Sequence, residues 1–211
     1  LKDGDTVTGV TVESVDGRHD IKGKIVIDCT GEGYFSAQAG CEMVCVDRDI
    51  MQPHTICFTV DGVDWKKLIE YVNRHPDQFT YNQLLHRTSK MTKEDVMEAY
   101  KNAMDPCELG EIMGFYQLRD VALQNGDWHN CSGMGFFLQP KEGGRILAHF
   151  QHSTQVDHCL PTDAWDVTRC HIECRKQLEI AWRGIKNYLP GFENAYIIKI
   201  GNELRFREGP R

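Results

Sequence analysis

No stretch of this 211-residue sequence stays apolar for the length that a membrane-spanning helix needs, so no helical membrane span is expected. Positive charge is in deficit: 24 Lys and Arg stand against 31 Asp and Glu, a net charge of −7. That argues against a surface that grips nucleic acid mainly through its phosphates. No C-x-x-C pair occurs among the nine cysteines, and their number is odd. Their spacings do not form a disulfide framework, so they are read as reduced, partly buried thiols of a cytoplasmic protein. Internal repeats and low-complexity tracts are absent. The opening residues, Leu1-Lys2-Asp3-Gly4-Asp5, carry neither a signal-peptide pattern nor an initiator Met, and the chain reads as a piece of a longer one.

What is present is an ordinary globular composition, 41% hydrophobic and 26% charged. The length suffices for one domain with a real core, or one and a half. The stretch from Lys24 to Gly40 organises the rest. An apolar run, Ile25-Val26-Ile27, leads into Asp28-Cys29-Thr30-Gly31-Glu32-Gly33, and Tyr34 to Ala39 suits a helix start. Buried strand, glycine turn and helix in that order form the junction where α/β proteins seat a nucleotide, because bare backbone and helix N–H groups face the ligand. A plain structural turn is the alternative.

Around this junction the pattern predicts an α/β fold of α+β character. Thr6 to Ser14 alternates with period two, Asp16-Gly17 signals a turn, and Asp20 to Ile27 is the expected return strand. His54 to Val60 is an expected strand. Helices are expected over Asp64–Asn73, Lys93–Met104, Cys107–Gln124 and Ala164–Tyr188. Their starts are marked by Asp64, by Thr92 with Asp95, by Pro106, and by Pro161-Thr162-Asp163. Met134–Gln139 and Arg145–Gln151 form an expected second hairpin, and Ala195–Ile200 a last strand. Cys170 and Cys174 lie four apart on one helix face beside His171. A soft-metal site there would need two further ligands; the other reading is a structural thiol pair, and no metal is assigned.

Asp28 to Gly40 resembles the second flavin-binding motif of the FAD-dependent oxidoreductases with a glutathione-reductase-like fold, whose pattern runs roughly D-A-T-G-D-G-D. Cys29 replaces the small residue, Glu32 keeps the acid, and Tyr34 departs from the second acid. Leu189-Pro190-Gly191-Phe192-Glu193-Asn194-Ala195, followed by Arg207-Glu208-Gly209-Pro210-Arg211, is similar to the closing P-G-F-E-N-A and R-E-x-x-R pattern of that family. The resemblance implies FAD as cofactor, Thr30, Gly31, Glu32 and Gly33 as part of its cradle, and an unidentified small-molecule substrate. It also implies a division into residues 1–45, the end of an FAD domain with its hairpin and the last strand of a parallel sheet. Residues 46–200 would then be a substrate domain and residues 201–211 a return segment. The family's first strand, with G-x-G-x-x-G, occurs nowhere in the sequence, so the chain is expected to bind FAD weakly or not at all and to be inactive alone.

A flavin performs its own hydride chemistry, and the protein holds it and places the substrate. His149, His152 and His158 are either solvent-facing or hydrogen-bonded histidines, or a proton donor beside that substrate. On one strand His149 and His152 would point to opposite faces, which argues against a shared metal. Among Arg205, Arg207 and Arg211, a guanidinium fork suits a carboxylate or pyrophosphate, against a reading as a solvated chain end. His149, His152 and Arg207 are the catalytic candidates. The competing reading is a stand-alone α+β binding module that shares only the Thr-Gly turn.

Overall fold

The computed structural model of the chain describes residues 1–79, 92–129, 132–206 and 208–209. The first residues form two small antiparallel pairs, β1 (Lys2–Asp3) with β2 (Thr6–Val7) and β3 (Gly9–Ser14) with β4 (Gly17–Lys22). Ser14 faces Gly17 across a tip made of Val15 and Asp16. The return strand ends at Lys22, short of the expected Ile27. The expected buried strand at Ile25–Ile27 does not form: Ile25 is 81% and Ile27 79% exposed. A strand exists only where its N–H and C=O groups find partners, and no strand among the described residues pairs with this run. A short helix, α1 (Tyr34–Ala39), follows the glycine turn.

The remaining strands build one five-stranded sheet. β5 (Phe58–Asp61) precedes α2 (Trp65–Arg74) and α3 (Lys93–Asn102). Then come β6 (Glu111–Gly114), α4 (Tyr116–Gln124), β7 (Met134–Pro140), β8 (Ile146–Phe150), α5 (Ala164–Tyr188) and β9 (Tyr196–Ile200). The sheet order is β6-β7-β8-β5-β9, and every pairing described is antiparallel. The architecture is mixed α/β with four main helices, as the sequence pattern predicts.

Local chemistry explains most helix starts. The Asp64 carboxylate accepts from Lys67 N, Thr92 and Asp95 form a reciprocal capping box, and Asp163 accepts from Trp165 N and Asp166 N. The expected helix over Cys107–Gln124 is corrected. Pro106–Glu108 makes a single 3-10 turn, Glu111–Gly114 is an edge strand paired with β7, and only Tyr116–Gln124 is α-helical. Gly110 (φ 63°) and Phe115 (φ 58°) take left-handed backbone on either side of the strand and break the helix twice. Gly114 has no side chain because a Cβ there would run into the Gln78 carbonyl and Phe79.

Strand alternation gives the sheet two unlike faces. Phe58, Val60, Ala148, Phe150 and Phe136 are fully buried on one side. Phe58 stacks on Phe150 at 4.8 Å, Phe136 meets Phe150 at 5.1 Å, and Trp182 of α5 stands edge-on to Phe58 at 6.5 Å. Each buried phenylalanine is worth roughly 1.5–3 kcal/mol. The buried stripe of α5 is Cys170, Cys174, Leu178, Ala181 and Ile185, whereas Ile172 is 54% exposed. The cysteines act here as small apolar residues; burial raises the Cys170 thiol and pushes that of Cys174 up to about 11.

Candidate functional site

The glycine turn is shaped by one carboxylate. Asp28 Oδ1 accepts from Thr30 N at 3.0 Å and Thr30 Oγ1 at 2.7 Å, and Oδ2 accepts from Ser36 N at 2.8 Å and Ser36 Oγ at 2.7 Å. The Ser36 hydroxyl, then the Thr30 amide and hydroxyl and the Ser36 amide, hold the Asp28 carboxyl well below the usual carboxylate range. Thr30 Oγ1 in turn accepts from Tyr34 N at 2.9 Å and closes the first turn of α1. With both ends fastened, Gly31 (φ 87°) and Gly33 (φ 67°) adopt left-handed backbone that a side chain would strain. A Cβ on Gly31 would project into open space. Beside it lies an open cavity of about 490 Å³ lined by Asp28, Cys29, Gly31, Gly33, Ser36 and Cys41, among others.

The two sequence blocks that carry the flavin resemblance meet here. Glu32 packs against Gly209 and Gln52 N donates to the Glu208 carboxylate at 2.8 Å. Arg207 and Arg211 lie outside the described residues. Arg205 bridges Thr55 through backbone hydrogen bonds, and its guanidinium donates to the Gln151 side chain. The sequence reading missed Asp28 and Ser36 as turn-shaping groups. The D-x-T spacing of Asp28 and Thr30 carries a local turn signal; the Ser36 contact, eight residues on, needs the folded turn.

The histidines fall elsewhere. Register places Phe137, His149, Thr59 and Lys199 in one row across β7, β8, β5 and β9, on the sheet face opposite Phe58, Phe136 and Phe150. His149 Nδ1 lies 3.0 Å from Thr59 Oγ1. Partial burial, with the charges of Arg205 and Lys199, pushes the imidazole below its ordinary titration range. The pair lines a cavity of about 420 Å³ together with Gln139, Lys141, Leu147 and Lys199. His152 lies past the end of β8, so strand alternation assigns it to neither face. His158 sits in a loop at φ 54°, its Nδ1 3.3 Å from Asp49. Among the described residues, the cavities beside His149 and beside Gly31 share no lining residue. Among the described residues no three His, Cys, Asp or Glu side chains are grouped to hold a metal, and no helix is long and apolar enough to cross a membrane.

No curated protein and no solved structure matches the chain. The contact between the Thr30–Gly33 turn and the Glu208–Gly209 segment joins the two motifs that resemble flavin enzymes, and sequence comparison extends that likeness to the whole chain. The model of the family described as FAD dependent oxidoreductase matches residues 1–211, and the chain belongs to that family.

Proposed function

We propose that these residues form part of a longer FAD-dependent oxidoreductase that oxidises or reduces a small molecule on the open face of the five-stranded sheet. The observation that carries this reading is the exposed Ile25–Ile27 run leading directly into a turn with left-handed glycines. We read this continuous apolar run at the surface as a strand without its sheet, which a parallel sheet completed by further chain would bury. In this reading residues 1–45 finish an FAD domain, residues 46–200 are the substrate domain and residues 201–211 return toward the cofactor. The free thiols among the described cysteines suit a reducing compartment such as the cytoplasm.

The residues present suit part of a dinucleotide. Gly31 offers open space where a Cβ would stand, the Asp28 network fixes the turn, and Gly31 and Gly33 line the cavity, with Thr30 and Glu32 beside and between them in the turn. FAD supplies the hydride chemistry when bound. The protein's own part falls to His149. Its depressed titration favours the neutral ring, which accepts a proton rather than donating one. In the tautomer that donates Nδ1–H to Thr59 Oγ1, 3.0 Å away, Nε2 is the atom that would take the substrate's proton. His152 and Arg207 stay secondary candidates, on the sequence reading alone.

Equilibrium dialysis of the 211-residue chain against FAD tests the proposal. The first Gly-rich turn of the family is not in this sequence, so affinity should be on the order of a hundredfold or more below that of an intact flavoprotein. Tight, stoichiometric binding would refute the reading as part of a longer enzyme. In the longer parent, Gly31→Val should lower the flavin-to-protein absorbance ratio while leaving the folded far-ultraviolet spectrum unchanged.

A further inference from the structure

We infer that the ligand of the open sheet face is a small organic acid, held by Lys199 and Lys141 above the His149–Thr59 pair. This rests on the substrate-face reading above and narrows it to a substrate class. The register that places His149 and Thr59 side by side also sets Lys199 opposite Thr59, on the neighbouring strand and the same face. Lys141, just beyond β7, reaches the same cavity, as do Gln139 and the apolar side chain of Leu147.

The charge of this cavity runs against the rest of the molecule. The chain carries seven more acids than bases, yet among the described residues two lysines line this space and no carboxylate does. His149 is acted on by the positive charges of Arg205 and Lys199, with no acid opposing them. Of the strand-end acids, Asp61 is occupied by Arg145, Gly62 N and the Tyr196 hydroxyl, and Glu111 stands at the far end of the row, opposite Phe137 and two strands from His149. Such a site repels cations and favours an anion. Leu147 and the aliphatic parts of the lysines offer carbon surface beside the charges, and a cavity of about 420 Å³ lies at the small end of the range for organic ligands. The chemistry that fits is a carboxylate on a short carbon skeleton: the lysines neutralise the carboxylate, Thr59 and Gln139 offer hydrogen bonds, and His149 faces the carbon to be oxidised or reduced.

Three four-carbon probes of equal length separate the possibilities: succinate, 1,4-butanediol and 1,4-diaminobutane. Each is titrated into the 211-residue chain while the ring resonances of His149 are followed by NMR, assigned with His149→Asn. Succinate should shift them saturably, more strongly at low than at high salt, and the diol and diamine should leave them in place. Lys199→Gln should raise the succinate dissociation constant about fivefold, and Lys199→Gln with Lys141→Gln about tenfold or more. Both lysines are exposed, so these variants should keep the wild-type fold, which the remaining spectrum reports. Equal response to the diol, no response to any probe, or undiminished succinate binding by the double variant would overturn the inference. A different result bears on the substrate-face reading itself: turnover by the FAD-loaded parent that survives His149→Asn would remove His149 from the reaction without altering the succinate titration.

Discussion

Single carboxylates set the position of whole loops in this protein. Asp166, in the first turn of α5 and 7% exposed, accepts from Leu160 N at 3.1 Å and from Arg48 Nη2 at 2.6 Å, with Arg169 Nη2 at 3.5 Å. The Leu160 amide, aided by the two guanidiniums, lowers its titration despite the opposing effect of burial. A carboxyl lowered in the folded state stabilises fully above its unfolded value of about 3.9, and that contribution is lost as pH falls through the folded value. Asp166→Asn should therefore cost about 1–2 kcal/mol at pH 7, a figure discounted because both arginines are half-exposed and screened. Urea denaturation at pH 7 and near pH 3 checks it: the gap between wild type and variant should narrow in acid. Legibility at this scale follows distance along the chain. The caps Asp64, Thr92 and Asp163 bond within three residues and could be read directly. Arg48 lies 118 residues from Asp166, and no local pattern announces that pair.

Secondary-structure elements were legible where the signals agreed with one another. Helix α5 runs from Ala164 to Tyr188, the span given by Asp163 before it and Pro190 after it. The region 107–124 was misread because Leu109, Ile112, Met113 and Tyr116 mimic a helical stripe. The deciding facts are the edge pairing with β7 and the left-handed residues Gly110 and Phe115, neither visible as periodicity. The strand expected at Ile25–Ile27 failed for the complementary reason, since strand propensity without a partner fixes nothing. Helix α5 also shows a glycine imposed by packing rather than by φ. Gly184 lies against the Asp127 backbone carbonyl, where a Cβ would overlap the oxygen. Gly184→Ala should cost about 1–3 kcal/mol, seen as a melting temperature lower by roughly 2–10 °C. An unchanged melting curve would mean that the 125–128 loop yields freely.

For the whole molecule, the exposed apolar run is where the proposed longer enzyme and the 211-residue chain should behave differently. Ile25→Ser with Ile27→Ser should change the stability of the 211-residue chain by less than about 0.5 kcal/mol per site, because both side chains are already in water. The same pair of changes in the longer enzyme should lower its retained flavin, measured as the absorbance ratio after gel filtration. Equal retention would mean that the run is not an FAD-domain strand. The sheet order carries a further consequence, for synthesis. β5 is flanked by β8 and β9, whose contacts lie 90 and 135 residues downstream. At about 5–20 residues per second on the ribosome, β5 waits several seconds for its first neighbour and longer for its second. During that interval Phe58 and Val60 lack the strands they pair with, so the nascent chain should leave both side chains exposed until β9 emerges.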